Sequence, residues 1–235
     1  MNVVSIMAHG DDEMRCLGTM LKCRARGDRL FFVTVTDGCK GFVQRPDISR
    51  QQAAAIRQAE SARVAQAVGG ELIALGEHDE YLYDTPAVRD KLIQAIRQTR
   101  ADLIFTHFHE DYNLDHSTVY SLVRHCAMQS CLPVIATTDK PLPQHPAVFC
   151  VEPHGPIPFC PTHYVDITAF EDGKIELLKQ HQSQEVAMQQ GVGAGFDRLC
   201  RRPDAYWGDK VGCEYAEAFV PMPARGAIKP FSVLP

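Results

Sequence analysis

Residues 2 to 8, from Asn2 to Ala8, form an almost unbroken apolar run rich in β-branched side chains, and the run ends abruptly at His9-Gly10-Asp11-Asp12-Glu13. A strand that is apolar on both faces must be covered on both faces, as happens in parallel sheets sandwiched between helices. Beyond the polar cluster, Leu17, Met20 and Leu21 recur at helical spacing, and Gly27 supplies a stop. The cluster is therefore predicted at the carboxyl end of a first strand, on the turn into a first helix. In open α/β sheets ligands bind at that edge.

The same alternation continues. Buried strands are predicted at 30–35, 72–75 and 103–105, and helices at 50–68, 84–99 and 117–128. Ala53, Ile56, Val64 and Ala67 supply the apolar side of the second helix. A fifth strand is expected at 134–136. Loops follow around a short strand at 147–151, then a strand at 164–167 and a largely helical stretch at 168–190. Residues 191–195 read as a flexible break, 214–220 as a strand closing a sheet edge, and 224–235 as a tail. This pattern predicts an α/β fold: a Rossmann-like, doubly wound, mostly parallel sheet flanked by helices. We expect one domain over 1–235, with an α/β core at 1–136 and a C-terminal part at 137–235 made of loops, strands and a long helix.

A net charge of −5 with no basic stripe argues against a nucleic-acid partner. No apolar run reaches the ~18 residues of a membrane span, and the N-terminal run lacks the basic flank of a secretory signal. Nine cysteines, odd in number and without a CxxC pair, suit a reducing cytoplasm better than a disulfide framework. Tyr206 and Trp207, in a segment rich in Pro and Gly, suit either a pocket wall or a subunit contact, so a homo-oligomer stays open.

Three acids and a histidine in five residues leave the acids repelling one another unless a cation or solvent compensates, and imidazole and carboxylate are both good Zn²⁺ ligands. The competing reading is an acidic helix cap, with Asp11 or Asp12 at the positive end of the dipole. A second cluster decides for metal: His107, His109, Asp111, Asp115 and His116 follow another buried strand. His9, Asp12 and one downstream histidine make the three protein ligands of a hydrolytic site, and a neighbouring carboxylate makes the base. The spacing is not HExxH. Residue types and spacing thus point to a metal-dependent hydrolase and leave the substrate open.

Ala8-His9-Gly10-Asp11-Asp12-Glu13 resembles the AHPDDE signature of the LmbE-like (PIG-L-type) zinc-dependent de-N-acetylases, and Asn113-Leu114-Asp115-His116 resembles that family's HPDH motif. Thr36-Asp37-Gly38, Arg57 with Glu60, Val165-Asp166-Ile167, Lys174, His181 to Gln184 and Tyr215 to Phe219 are similar in the same order, so the resemblance spans nearly the whole chain. It implies a zinc ion held by His9, Asp12 and His116, with Asp11 as general base. It makes Asp115 a residue orienting a histidine, and His181 a histidine near the site. Arg57 and Asp79 resemble positions that contact the sugar, and Asp37 and His109 complete the expected substrate contacts. The implied reaction removes an acetyl or other acyl group from a small N-acylated substrate, an N-acetylated amino sugar or its conjugate.

Three departures stand out. Gly10 replaces a proline, Cys39 stands where many members carry a glutamate, and Asn113 stands where the family often has a histidine acting as acid or oxyanion stabiliser. Asn113 can donate a hydrogen bond but cannot deliver a proton, which leaves that role to His107, His109 or His181, or to a different way of protonating the leaving amine. Two other functions compete: a metal-binding but catalytically altered member, and a non-catalytic Rossmann-like binding module. The last would place a pyrophosphate against the acids at the first strand's end, where it would be repelled.

Overall fold

The computed structural model describes residues 1–43, 45–222 and 234. Its first half runs β1 (Asn2–Met7), α1 (Leu17–Ala25), β2 (Arg29–Thr36), α2 (Arg50–Ala67), β3 (Glu71–Glu77), α3 (Pro86–Thr99), β4 (Leu103–Thr106) and α4 (Leu114–Gln129). There follow β5 (Ala147–Val151), β6 (His163–Asp166), α5 (Glu171–Leu178), α6 (Gln182–Val192), α7 (Phe196–Val211) and β7 (Ala216–Pro221). The strands form one sheet in the order β3-β2-β1-β4-β5-β7-β6. Strands β3, β2, β1, β4 and β5 are parallel, and β7 runs antiparallel between β5 and β6.

The two-residue period of β1 sorts the core into two halves. Val4, Ile6 and Ala8 face α3 and α4, packing with Leu92, Ile96, Val119 and Val123. Val3 and Met7 face the other way, toward Leu17 and Met20 of α1, Ile175 and Leu178 of α5, and Phe196 of α7. Helices on both faces of a mostly parallel sheet make a single, Rossmann-like, doubly wound α/β domain. Chain order reverses between β1 and β4, and the crevice beyond the carboxyl ends of those two strands is the fold's ligand site. No helix among the described residues is long and apolar enough to cross a membrane.

A buried polar knot fixes where α1 starts. Both Glu217 carboxylate oxygens accept from the first turn of α1, from the amides of Gly18 (2.9 Å) and Thr19 (2.7 Å). Lys174, fully buried, sits 2.9 Å from Glu217 and 2.5 Å from Asp204. Gly18 is required by this approach, since a Cβ there would lie 2.8 Å from Ile167 and 3.1 Å from Glu217.

The structure corrects several expectations. Residues 134–136 are not a strand: Val134 is exposed, and buried Arg97 binds the carbonyls of Ser130, Leu132 and Ile135, committing that backbone to a loop. β7 lies inside the sheet, and β6 takes the edge. Residues 196–211 form α7, which carries Pro203 inside it. Trp207 is core, packed on Ala216 and Ala218 of β7. Helix α4 begins three residues before Ser117, capped by Asn113, so Asp115 and His116 belong to its first turn. The buried stripe of α2 is Ala53, Arg57, Glu60, Ser61 and Val64, whereas Ile56 and Ala67 face solvent. The expected tail, 224–235, lies outside the described residues apart from Leu234. All nine cysteines are unpaired.

Candidate active site

At the end of β1 the chain makes a tight polar turn. Asp11 adopts φ 122°, a sparsely populated conformation for a residue with a Cβ. Its amide donates to Glu13 Oε2 at 2.7 Å, and Glu13 Oε1 lies 2.8 Å from Nε2 of fully buried His181. Gly10 is packed so closely on Ser61 that a Cβ there would overlap the Ser61 hydroxyl. Strain held by surrounding bonds is the mark of a pre-organised site.

The turn brings Asp12 beside His9, and the first turn of α4 brings His116 to both. His9 Nδ1 is 3.2 Å from Asp12 Oδ2 and 3.2 Å from His116 Nε2, and His116 Nε2 is 3.4 Å from Asp12 Oδ1. Ligand atoms on tetrahedral Zn²⁺, with bonds of about 2.0–2.1 Å, stand about 3.3 Å apart. The two imidazole nitrogens stand at that spacing from each other, and each stands at about that spacing from one of the two Asp12 oxygens. Each imidazole also has an acid on its outer nitrogen: Asp79 Oδ1 at 3.0 Å from His9 Nε2, and Asp111 Oδ1 at 3.1 Å from His116 Nδ1. An acid on the outer nitrogen turns the inner lone pair toward an ion. His9, Asp12 and His116 thus form a cluster able to hold a metal. His107 is close, 3.3 Å from Asp12, but its Nε2 accepts the Ala8 amide at 2.9 Å, so that lone pair is taken.

Electrostatics follow from this crowding. Burial alone would push the Asp12 carboxyl up, but the charges on His116 and His9 outweigh it and hold it well below the usual range. Burial likewise works against charge on the imidazoles, yet Asp12 and the backing acids raise His9 well above its ordinary value and His116 to about 9. His107, buried and beside His116, falls to about 4. Burial raises the Asp11 carboxyl despite the opposing charge of Arg57, whose Nη2 donates to Asp11 Oδ1 at 2.6 Å.

The other expected site residues fall in three groups. Arg57 and Asn113 line a cleft of about 600 Å³ over the cluster, together with Lys40, Glu80, Tyr112, His154 and Gln184. Apolar Met14, Val43, Met188 and Leu199 line it as well. Asp79 also reaches this cleft, but its two oxygens are held by His9 and by the Lys40 amide at 2.7 Å, which makes it a support for His9. Asp115 takes the amides of Glu80 (2.8 Å) and Leu82 (3.3 Å) and stays 3.7 Å from His9. Asp37 pairs with Arg50 at 2.6 Å, away from the cleft lining. His181 reaches the turn only through Glu13. His109 is half-exposed and lines a separate hollow with Phe108 and Tyr120, so the structure does not bring it to the cluster. Glu13 and His154 were not singled out from sequence. Glu13 reads there as one more acid in the first helical turn, and His154 stands alone in a Pro-rich loop with no spacing to mark it.

Residues 4–127 match the family described as PIG-L, GlcNAc-PI de-N-acetylase, more than half of the chain. The chain belongs to the PIG-L family. Among solved structures, N,N'-diacetylchitobiose deacetylase from Pyrococcus horikoshii is 24% identical with a TM-score of 0.81, over 98% of this chain and 87% of that one. A conserved protein from Thermus thermophilus is 25% identical with a TM-score of 0.79, over 99% and 100%. The 4-carboxy-2-hydroxymuconate hydratase from Pseudomonas putida KT2440 is 19% identical with a TM-score of 0.80, over 98% and 100%. A deacetylase and a hydratase share this architecture, so the fold alone does not name the reaction. The family match and the His/Asp cluster together make this a PIG-L-type deacetylase fold with a candidate metal site.

Proposed function

We propose that this chain is a zinc-dependent amide hydrolase that removes an acetyl or other small acyl group from an N-acylated amine, an amino sugar or its conjugate in the first instance. The observation that carries the reading is the His9–Asp12–His116 cluster, whose donor spacing suits Zn²⁺ and which opens onto a cleft of small-molecule size. A bound ion there would polarise the amide carbonyl and make water more acidic. Asp11, adjacent to the ligand set, takes the proton of the attacking water. Burial makes its carboxylate a stronger base than an ordinary aspartate. Arg57 holds Asp11 in place through the same guanidinium nitrogen that binds the Gly10 carbonyl. Among the lining residues, Lys40, Glu80 and Gln184 suit hydroxyl groups, and Met14, Met188 and Leu199 suit an attached aglycone.

The test pairs metal analysis with acetate release from a panel of N-acetylated amino sugars and conjugates. Asp11→Ala should keep about one zinc per chain and lose ~10²–10⁴-fold in kcat with little change in KM. Asp12→Ala should lose the metal itself. A protein that takes up no zinc, or a loaded one that releases no amine from any panel member, removes this reading.

A further inference from the structure

The family-like motif puts an asparagine where a histidine often serves the substrate oxygen, and Asn113 is already committed. Its Oδ1 accepts the Asp115 amide at 2.8 Å as the cap of α4, and its Nδ2 donates to Glu80 at 3.3 Å. The other imidazoles near the cluster are placed otherwise. His9 and His116 face each other as ligands, while His107, on the Ala8 amide, and His181, buried against Glu13 with its Nδ1 unpartnered, do not line the cleft. His154, in the loop after β5, is different. It lines the cleft with the cluster, its ring centroid 6.1 Å from that of His116.

Its tautomer can be read from its neighbour. Arg15 Nη2 lies 3.3 Å from His154 Nδ1, and a guanidinium has donors and no acceptor. Nδ1 must therefore carry the lone pair, and the proton of the neutral ring sits on Nε2. Arg15 is itself fixed, nine-tenths buried, with Nη1 donating to the Leu199 carbonyl at 3.3 Å and lying 3.8 Å from Glu152. It enters this arrangement from the same short turn, Asp12–Arg15, that supplies the ligand Asp12.

We propose that His154 is a catalytic residue that donates a hydrogen bond from Nε2–H to the developing oxyanion of the substrate, in a tautomer imposed by Arg15. This rests on the amide-hydrolase reading above. His154 transfers no proton, and with Arg15 Nη2 donating to Nδ1 that nitrogen has no place for a second ring proton, so the ring is held neutral. A neutral donor in the cleft beside the cluster meets the negative charge that develops on the carbonyl oxygen, and the proton the amine needs as the C–N bond breaks is the one Asp11 took from the attacking water.

The experiment uses zinc-loaded protein with ¹⁵N-labelled histidine, and methylphosphonate as a tetrahedral oxyanion probe. NMR should report His154 protonated on Nε2 and bare on Nδ1, and Arg15→Met should release that preference. His154→Ala should leave zinc content unchanged, weaken methylphosphonate roughly tenfold or more, and lower kcat on the hydrolysed amide by ~10²–10³-fold. His154→Gln, which restores an N–H of similar reach, should recover most of both. An Nδ1–H or doubly protonated ring at neutral pH overturns the proposal. So do unchanged phosphonate binding and turnover in His154→Ala. If the wild type cleaves no N-acyl amine while His154→Ala still loses phosphonate affinity, the amide-hydrolase reading fails and the donor role stands.

Discussion

Asp79 offers the sharpest test of how the metal cluster is held. Its Oδ1 is 3.0 Å from His9 Nε2 and its Oδ2 accepts the Lys40 amide at 2.7 Å, so both oxygens are used and both must be acceptors. Asp79→Asn breaks one of them. If the amide oxygen stays on Lys40, the NH₂ faces His9 Nε2 and favours the tautomer with the proton on Nδ1, the nitrogen needed by the ion. If the amide flips, its NH₂ meets the Lys40 N–H instead. Loss of such an outer partner costs 10–100-fold in metal affinity, about 1.4–2.8 kcal/mol at 1.4 kcal/mol per decade. Asp79→Ala frees His9 and also strands the Lys40 amide, adding ~1–3 kcal/mol of destabilisation to the fold. Competition of each variant with a chelator for Zn²⁺, beside thermal unfolding of the metal-free proteins, reads the two effects separately. Asp115→Asn is the control, because Asp115 stands 3.7 Å from His9 and serves backbone amides. Wild-type zinc affinity in Asp79→Asn, with a loss in Asp115→Asn, would refute the assignment of Asp79 as the support of His9.

Zinc uptake should depend on pH with a definite sign. His116 sits near 9 in the metal-free protein because Asp12 and Asp111 outweigh its burial, so a ligand proton must leave on binding. Affinity should climb between about pH 6.5 and 9 with protons released to buffer, while the metal-free protein loses stability over that window; equal calorimetric heats in two buffers of different ionisation enthalpy would contradict this. Asn113→Ala should cost ~1 kcal/mol of stability as a lost helix cap and change kcat only a few-fold, and His109→Ala should leave kcat and KM unchanged; steady-state kinetics of both variants checks it. Lys174→Met should destabilise by ~3–5 kcal/mol in denaturant titration, since Asp204 and Glu217 would be left buried without their cation. A loss below ~1 kcal/mol would mean that the knot is dispensable.

The sheet was legible because its signal is local. A continuous apolar run such as Asn2 to Ala8 can satisfy itself only as a strand buried on both faces, and each helix between strands carried its own periodicity. The polar stretch at the end of β1 was legible for the same reason, being contiguous in sequence. Local patterning misled where a distant partner decided the outcome. Val134 to Ala136 has strand-forming residues, but buried Arg97 claims the backbone around it. Residues 196–211 carry breakers, yet packing of Phe196, Cys200 and Trp207 on the sheet makes them a helix. Apolar spacing on α2 could not mark Arg57 and Glu60 as buried, because the stripe there turns toward charged and polar groups of the site. Residue order alone was enough for the α/β class, the position of the ligand edge and the residue types at the cluster. It took the folded chain to show that Asp79 lies against His9, that Asn113 is spent as a cap, and that His154 reaches the cleft. Those facts are distances between residues far apart in the chain, and no local periodicity encodes them.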